Sequence, residues 1–393
     1  MSTESIVILS AKRTPIGAFQ GVLSPAAAPM LGAAAIRGAL TDAHVSAEDV
    51  QEVIMGCVLA AGLGQAPARQ AALGAGIPIG APTTTINKMC GSGMKAVMMM
   101  ADSLRTGDIG LAVAGGLESM SNAPYLLPKA RTGYRMGHGE ILDHMFFDGL
   151  QSPWDKQLMG CFADNTAKKY GIDREQQDAF AAESVRRALH AVKSSAFVAE
   201  ITPITVQGRK GSTVIEQDET PFACDISKIS TLKPAFGKDG TVTAASSSSI
   251  SDGAAALVLA RSSVAADKGL KAIARIVAYG SHAHAPEWFT TAPVGALHKV
   301  LNQAGWRADD VDLFEINEAF AIVTMAAIQE LKLDPARVNV NGGACALGHP
   351  IGATGARIIT TLIAALQHRG GKRGVATLCI GGGEATAMAI ELL

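Results

Sequence analysis

Cys90 follows Thr83-Thr84-Thr85-Ile86-Asn87-Lys88-Met89 and precedes Gly91-Ser92-Gly93 and an apolar run with helical spacing. A cysteine on a turn into a helix N-terminus meets free N–H groups and partial positive charge, which favour a thiolate. The glycines let a substrate approach the backbone closely. The alternative is a buried structural cysteine, the common fate of a free thiol. His349 stands in a second such place, within Gly348-His349-Pro350-Ile351-Gly352, just ahead of another helix-like run. A base there is suited to take the Cys90 proton, and the alternative is a solvent-facing loop histidine. Cys379-Ile380-Gly381-Gly382-Gly383-Glu384 joins a thiol to flexible backbone, a combination suited to a proton donor and an oxyanion hole. Asn317 closes the run Leu313–Ile316, where an amide orients water, binds an oxyanion or caps a helix. Gly91-Ser92-Gly93-Met94-Lys95-Ala96 also fits G-x-G-x-x-A, so a nicotinamide-dependent oxidoreductase is a competing class. No clean apolar strand leads into that pattern, and Asp108 sits on a polar break.

Positioning these groups falls to strands and helices that alternate along the chain. Short β-branched runs at Ser5–Leu9, Glu52–Cys57, Leu111–Ala114, Ala256–Leu259, Ala272–Val277, Leu313–Ile316 and Val375–Ile380 predict strands. Ala-rich helical stretches lie between them, so the fold class is α/β with buried strands. Asp173–Val192 is the clearest helix, with a capping-box pattern at Asp173 and Gln176. An internal repeat pairs Cys90 with His349. Each is followed by a glycine turn, a helix, a strand, glycines and a glutamate, Glu118 or Glu384. This predicts two duplicated α/β halves. Residues 119–249 read as an elaborated segment inserted in the first half, and Arg261–Leu270 as a polar connector.

The chain has 393 residues, and 34 Lys+Arg against 35 Asp+Glu give a net charge of −1. That leaves no basic footprint for nucleic acid. Six cysteines without a CxxC pair argue against a disulfide scaffold or a structural zinc site. No signal peptide is expected from the first fourteen residues, and no apolar run is long enough for a bilayer, so a cytoplasmic protein without membrane contact is expected. Met98–Met100 read as core filling, and Lys129, Arg131 and Arg135 as a solvated or subunit-contact loop.

NKMCGSG around Cys90, NEAFA at Asn317–Ala321, GHPIGATGA at Gly348–Ala356 and CIGGGEA at Cys379–Ala385 together resemble the thiolase family, in its short-chain acetoacetyl-CoA branch. The likeness extends to GQAPARQAALGAGIP (Gly64–Pro78), GGLESMSNAPY (Gly115–Tyr125), GRKG (Gly208–Gly211) and KPAFGKDGTVTA (Lys233–Ala244), and so spans nearly the whole chain. It implies two similar halves in a five-layer α-β-α-β-α core: an N-terminal domain over 1–262 carrying a loop domain at 119–249, and a C-terminal domain over 270–393. It implies reversible condensation of two acetyl-CoA to acetoacetyl-CoA and coenzyme A, with no cofactor. By this resemblance Cys90 is the nucleophile that carries the acyl group. His349 is its base, and Cys379 is the acid/base at the α-carbon. Asn317, through water, and His349 bind the thioester oxygen, while the Cys90 and Gly381 amides hold the acyl oxyanion. Met159, Phe236, Ser248, Phe289, Ala319 and Phe320 are expected at the substrate pocket. Residues Ser119–Asp143 resemble a tetramer-forming loop, so a homotetramer is expected. Leu158, Phe222, Ser246, Ser249 and Phe289 depart from the branch's usual residues, all in regions expected to meet coenzyme A or the acyl group. A catalytically silent binding subunit is a third reading, and the four intact catalytic positions argue against it.

Overall fold

The structure, a computed structural model, describes residues 4–208 and 211–393; Arg209 and Lys210 of the GRKG run lie outside the described residues. The first half runs β1 (Ile6–Arg13), β2 (Gly17–Ala18), α1 (Ala28–Asp42), β3 (Val53–Gly56), α2 (Pro67–Gly74), β4 (Thr83–Ile86), α3 (Ser92–Thr106) and β5 (Leu111–Ser119). A long excursion follows, with hairpin β6 (Tyr125–Leu126) and β7 (Leu142–Asp143), helices α4 (Met159–Tyr170) and α5 (Arg174–Lys193), and hairpin β8 (Ile204–Gly208) and β9 (Gly211–Ile215). The chain then returns through β10 (Ser251–Arg261) and α6 (Ser262–Asp267). The second half runs β11 (Ala274–Ala283), α7 (Ala292–Ala304), β12 (Leu313–Ile316), α8 (Ala321–Leu331), α9 (Ala344–Leu347), α10 (Ile351–Arg369), β13 (Arg373–Ile380) and β14 (Glu384–Leu392).

The strands lie in the order β12-β13-β14-β11-β1-β10-β5-β3-β4. Outward from the middle, β1-β10-β5-β3 on one side repeats as β11-β14-β13-β12 on the other. In both series the first two pairings are antiparallel and the third is parallel. The two series meet at only two register pairs, Val7–Arg275 and Ile8–Ala274. On the first side β4 extends the sheet through four parallel pairs with β3, whereas on the second a single bridge, Phe314 to Val338, stands in its place.

Apolar alternation sets the layers, because successive strand residues face opposite ways. Val53, Met55, Val113 and Val258 pack against α1 and α2 on one outer face. Phe314, Ile316, Val375 and Ala387 pack under α7 and α8 on the other. The inward residues of both series, Ala114, Leu257, Leu378 and Met388 among them, share one core with α3 and α10. Those two helices are therefore the central layer of an α-β-α-β-α stack.

The capping box at Asp173 and Gln176 is present, and α5 begins at Arg174. Arg261–Leu270 is not a plain connector, because it holds α6. Glu118 and Glu384 are not equivalent: Glu118 lies inside β5, while Glu384 opens the strand after β13. Strands β4 and β14 escape the sequence reading. β4 is Thr-rich and half-exposed, and β14 is an Ala-rich run that mimics a helix.

Candidate active site

The two reactive residues stand at the same place in their halves. Cys90 directly precedes Gly91, the N-cap of α3, and His349 directly precedes Pro350, the N-cap of α10. The helices cross closely at their first turns. A Cβ on Gly93 would lie 2.8 Å from the Ala356 backbone N, and one on Gly355 2.2 Å from the Met94 N. Glycine at both crossings brings Cys90 and His349 onto one cavity. This also disposes of the dinucleotide pattern. Gly93 is filled by α10 backbone and Gly91 by the Ile380 side chain, so neither glycine opens toward a pyrophosphate.

The Cys90 turn is held from its own backbone. Met89 sits at φ 46°, in the left-handed region, and its N–H donates to Asn87 Oδ1 at 2.9 Å. The Ser92 hydroxyl donates to the Met89 carbonyl at 2.6 Å and accepts from the Lys88 N–H at 2.8 Å. Lys88 in turn pairs with Glu384, tying this turn to the second half. Burial pushes the Cys90 thiol up to about 11, and the backbone amides of Gly381 and of Cys90 itself act against that shift. Both amides therefore lie near the sulfur.

His349 is buried, and burial, with Arg357 nearby, pushes its imidazole down to about 3. Its Nδ1 lies 2.7 Å from Thr354 Oγ1, while its Nε2 has no protein partner. Asn317 directly follows β12 and is also buried, with Oδ1 3.4 Å from an Arg357 nitrogen and Nδ2 unpartnered. Helix α8 has Phe320 as its N-cap, so Asn317 is not a helix cap. Buried amide and imidazole groups ordinarily find hydrogen-bond partners. Of these two, His349 lines the cavity with Cys90, so its free nitrogen is open to water or a ligand.

Cys379 is the penultimate residue of β13 and is fully buried. Burial, then the nearby Cys90, holds its thiol well above the ordinary value. Ile380 pairs with Glu384 across the turn, which leaves three residues to reverse the chain. Gly382 and Gly383 make that reversal at φ +98° and +88°. At Gly381 a Cβ would meet nothing closer than Met159 Sδ at 3.7 Å, so the site side of this turn is open.

Cys90, His349, Gly381, Met159, Phe236, Ser248, Phe289, Ala319 and Phe320 line one cavity of about 200 Å³. Cys379 and Asn317 are not among its lining residues. Of the divergent positions, Leu158, Ser249 and Phe289 line the cavity. Phe222 is exposed on the surface, and Ser246 is buried against Thr243. Sequence reasoning missed Met120, Phe146, Leu150 and Ile351 as lining residues. Phe146 and Leu150 lie in a π-helical turn without apolar periodicity, so no pattern marks them.

Glu118 is a buried carboxylate that the motifs did not flag as structural. It accepts from the N–H groups of Val58 at 3.0 Å, Leu59 at 3.1 Å and Gly352 at 2.8 Å. It thereby clamps the first turn of α10 to the first half. Burial pushes it up to about 7. No group of three or more His, Cys, Asp or Glu among the described residues is arranged to hold a metal ion.

The family is defined by comparison with known proteins. "Thiolase, N-terminal domain" matches residues 6–263 and "Thiolase, C-terminal domain" residues 270–392. The chain belongs to the thiolase family. Within it, the chain is 49% identical over 389 residues to an acetyl-CoA acetyltransferase of Pseudomonas aeruginosa, covering 98% of this chain and 99% of that one. It is 49% identical over 392 residues to an acetyl-CoA acetyltransferase of Escherichia coli K12, covering 99% and 100%. The crystal structure of the Bacillus anthracis acetyl-CoA acetyltransferase superposes with a TM-score of 0.97 at 42% identity, covering 100% of this chain and 99% of that one.

Proposed function

We propose that the chain is an acetyl-CoA C-acetyltransferase that interconverts two acetyl-CoA with acetoacetyl-CoA and coenzyme A by a ping-pong route through an acyl-Cys90 thioester. The observation that carries this reading is the meeting of a thiol, a bare imidazole nitrogen and the Gly381 amide in one apolar cavity. The Cys90 sulfur attacks the acetyl-CoA carbonyl as its proton passes to His349 Nε2. The amides of Cys90 and Gly381 receive the oxyanion, and coenzyme A leaves as a thiol with that proton. A second acetyl-CoA then enters. Cys379 reacts through the small thiolate fraction that burial leaves it and takes the α-proton, and the enolate oxygen rests on His349 and on water held by Asn317. The enolate carbon attacks the acyl-Cys90 carbonyl, and acetoacetyl-CoA departs as the Cys90 sulfur takes back the proton that Cys379 removed.

A thioester α-proton is weakly acidic, so the enolate needs aimed donors and a dry site. Phe236, Phe289, Phe320 and Met159 line the cavity and support a dry site, and Ser248, which also lines it, is the residue proposed to meet the pantetheine arm. A cavity of about 200 Å³ suits the tip of that arm and a small acyl group. No cofactor is required.

The further expectations belong to the same reading. Residues 1–262 form one domain with a loop domain at 119–249, and 270–393 form the other. Exposed Tyr125, Leu127, Met136 and Ile141 in the Ser119–Asp143 stretch support a homotetramer, which light scattering checks. Among the described residues no helix is long and apolar enough to cross a membrane, and a cytoplasmic location is proposed.

Peptide mass mapping after brief incubation with acetyl-CoA, quenched in acid, tests the function. An acetyl group on the Cys90 peptide that disappears on adding coenzyme A is the expected result. Protein that binds coenzyme A but takes no acetyl or longer acyl label at Cys90 would be a silent subunit.

A further inference from the structure

On the first side of the sheet β4 pairs with β3 and runs on toward the Cys90 turn. On the second side β12 runs into Asn317, and the Val338–Asn339 stretch lies along its outer edge. The Asn339 N–H donates to the Phe314 carbonyl at 2.9 Å, as a neighbouring strand would. Two residues further along β12 its side chain takes over. Asn339 Oδ1 accepts from the Ile316 N–H at 2.8 Å, and Nδ2 donates to the Ile316 carbonyl at 2.8 Å. A backbone N–H only donates and a carbonyl only accepts, so these two partners fix which way the amide points. Nδ2 also donates to Glu318 Oε1 at 2.8 Å. Asn339 is buried and sits at φ 47°, a left-handed conformation that asparagine adopts more readily than most residues.

These bonds straddle Asn317. The peptide unit joining Ile316 to Asn317 is held through its carbonyl by Asn339 and through its N–H by the Thr377 carbonyl at 3.0 Å. The side chain of the next residue, Glu318, accepts from the same amide, from Ser184 Oγ at 2.6 Å and from the Cys345 N–H at 3.1 Å. The Thr324 hydroxyl also reaches the Ile316 carbonyl, at 3.2 Å, but the Ile316 N–H is served by Asn339.

We propose that Asn339 is a positioning residue whose side chain stands in for a flanking strand and so fixes where Asn317 is held for the enolate step. This rests on the acetyltransferase reading for its consequence. In that reading Asn317 holds the water under the enolate oxygen, and acyl transfer to Cys90 does not use it. Asn339 therefore acts on the enolate step and not on the formation of acyl-Cys90.

The test uses the full chain with Asn339→Gly and Asn339→Asp, each alone and combined with Asn317→Ala. Glycine keeps the left-handed backbone and removes all three side-chain bonds. Aspartate keeps an acceptor for the Ile316 N–H but gives no donor to the Ile316 carbonyl or to Glu318. Two quantities are measured: the initial rate of acetyl labelling at Cys90, and kcat and KM for acetoacetyl-CoA thiolysis, which passes through the same enolate in reverse. Each single variant is expected to lower kcat about 10- to 100-fold, with KM and the labelling rate within about threefold of wild type. Added to Asn317→Ala, either change is expected to cost less than about threefold more, because the residue it positions is already gone. Losses that multiply in the double variants overturn the proposal. So does a labelling rate that falls in step with kcat, and so does a wild-type kcat in Asn339→Gly. If neither variant folds, the proposal is also overturned, since Asn339 would then hold the fold and not the site. A wild-type protein without thiolysis defeats the acetyltransferase reading and the proposal with it, whereas an active wild type with multiplying losses defeats the proposal alone.

Discussion

Cys90 and His349 sit one residue before a helix N-cap, in topologically matching places of the two halves, yet the halves prepare them differently. In the first half the hydroxyl of Ser92 binds backbone, fixing the shape of a turn that Met89 enters at positive φ. In the second the hydroxyl of Thr354 binds the reactive side chain itself. The electrostatics diverge as well. Burial raises the thiol to about 11 and lowers the imidazole to about 3, so the resting pair is neutral thiol and neutral imidazole. In the proposed reaction the duplicated frame thus supplies one nucleophile and one base.

The strongest way to break this comparison is to remove its nucleophilic side. Cys90→Ser is expected to lower kcat for acetoacetyl-CoA thiolysis on the order of 10⁴-fold or more. Coenzyme A binding, followed by calorimetry, should persist. Next comes the division of labour between the two buried thiols. Cys379→Ser is expected to leave acetyl labelling of Cys90 intact while condensation slows about 10²- to 10⁴-fold. Loss of labelling as well would mean that Cys379 serves the first half-reaction too.

The crossing of α3 and α10 is tested by Gly355→Ala, whose Cβ would meet the Met94 backbone N at 2.2 Å. Overpacking against backbone is expected to cost about 3 kcal/mol or more in chemical denaturation. Gly80→Ala, which has open space and no positive φ, should stay within about 0.5 kcal/mol. The smallest expected effect concerns the clamp at Glu118. Its folded value of about 7 lies above that of a free carboxyl, so the folded chain holds the proton more tightly than the unfolded one. Its stabilising contribution is complete at low pH and is lost as pH rises from about 4.5 to about 7, by at most about 3 kcal/mol. Thermal midpoints at pH 5 and pH 8 should fall in that order, and Glu118→Gln should flatten the slope while lowering both. Glu315, pushed up to about 8 by burial, contributes in the same direction, and Glu315→Gln separates the two.

Much of the frame is legible in local pattern. Strands such as Leu313–Ile316 and Val375–Ile380 are apolar and β-branched because they are buried on both faces, and that composition shows in a short window. Helix α5 announces itself through Asp173 and Gln176. Strand β14 does not, because EATAMAIEL has the small-residue composition of a helix and becomes a strand only by pairing with both β11 and β13. The lining residues Phe146 and Leu150 are silent for a similar reason, since their inward direction comes from a π-helical turn and not from a period.

The chemistry-bearing residue types were set by sequence alone: a cysteine and a histidine at glycine-bounded helix starts, a second cysteine before three glycines, and an asparagine at a strand end. Tertiary structure decided which of them meet. Cys90 and His349 are separated by more than two hundred residues, and contact at that separation depends on Gly93 and Gly355 letting two backbones touch. It also decided protonation. The lowered imidazole of His349, the raised thiols and the unpartnered Nδ2 of Asn317 arise from burial and from partners distant in the chain. A linear sequence records neither the local dielectric nor who stands opposite whom.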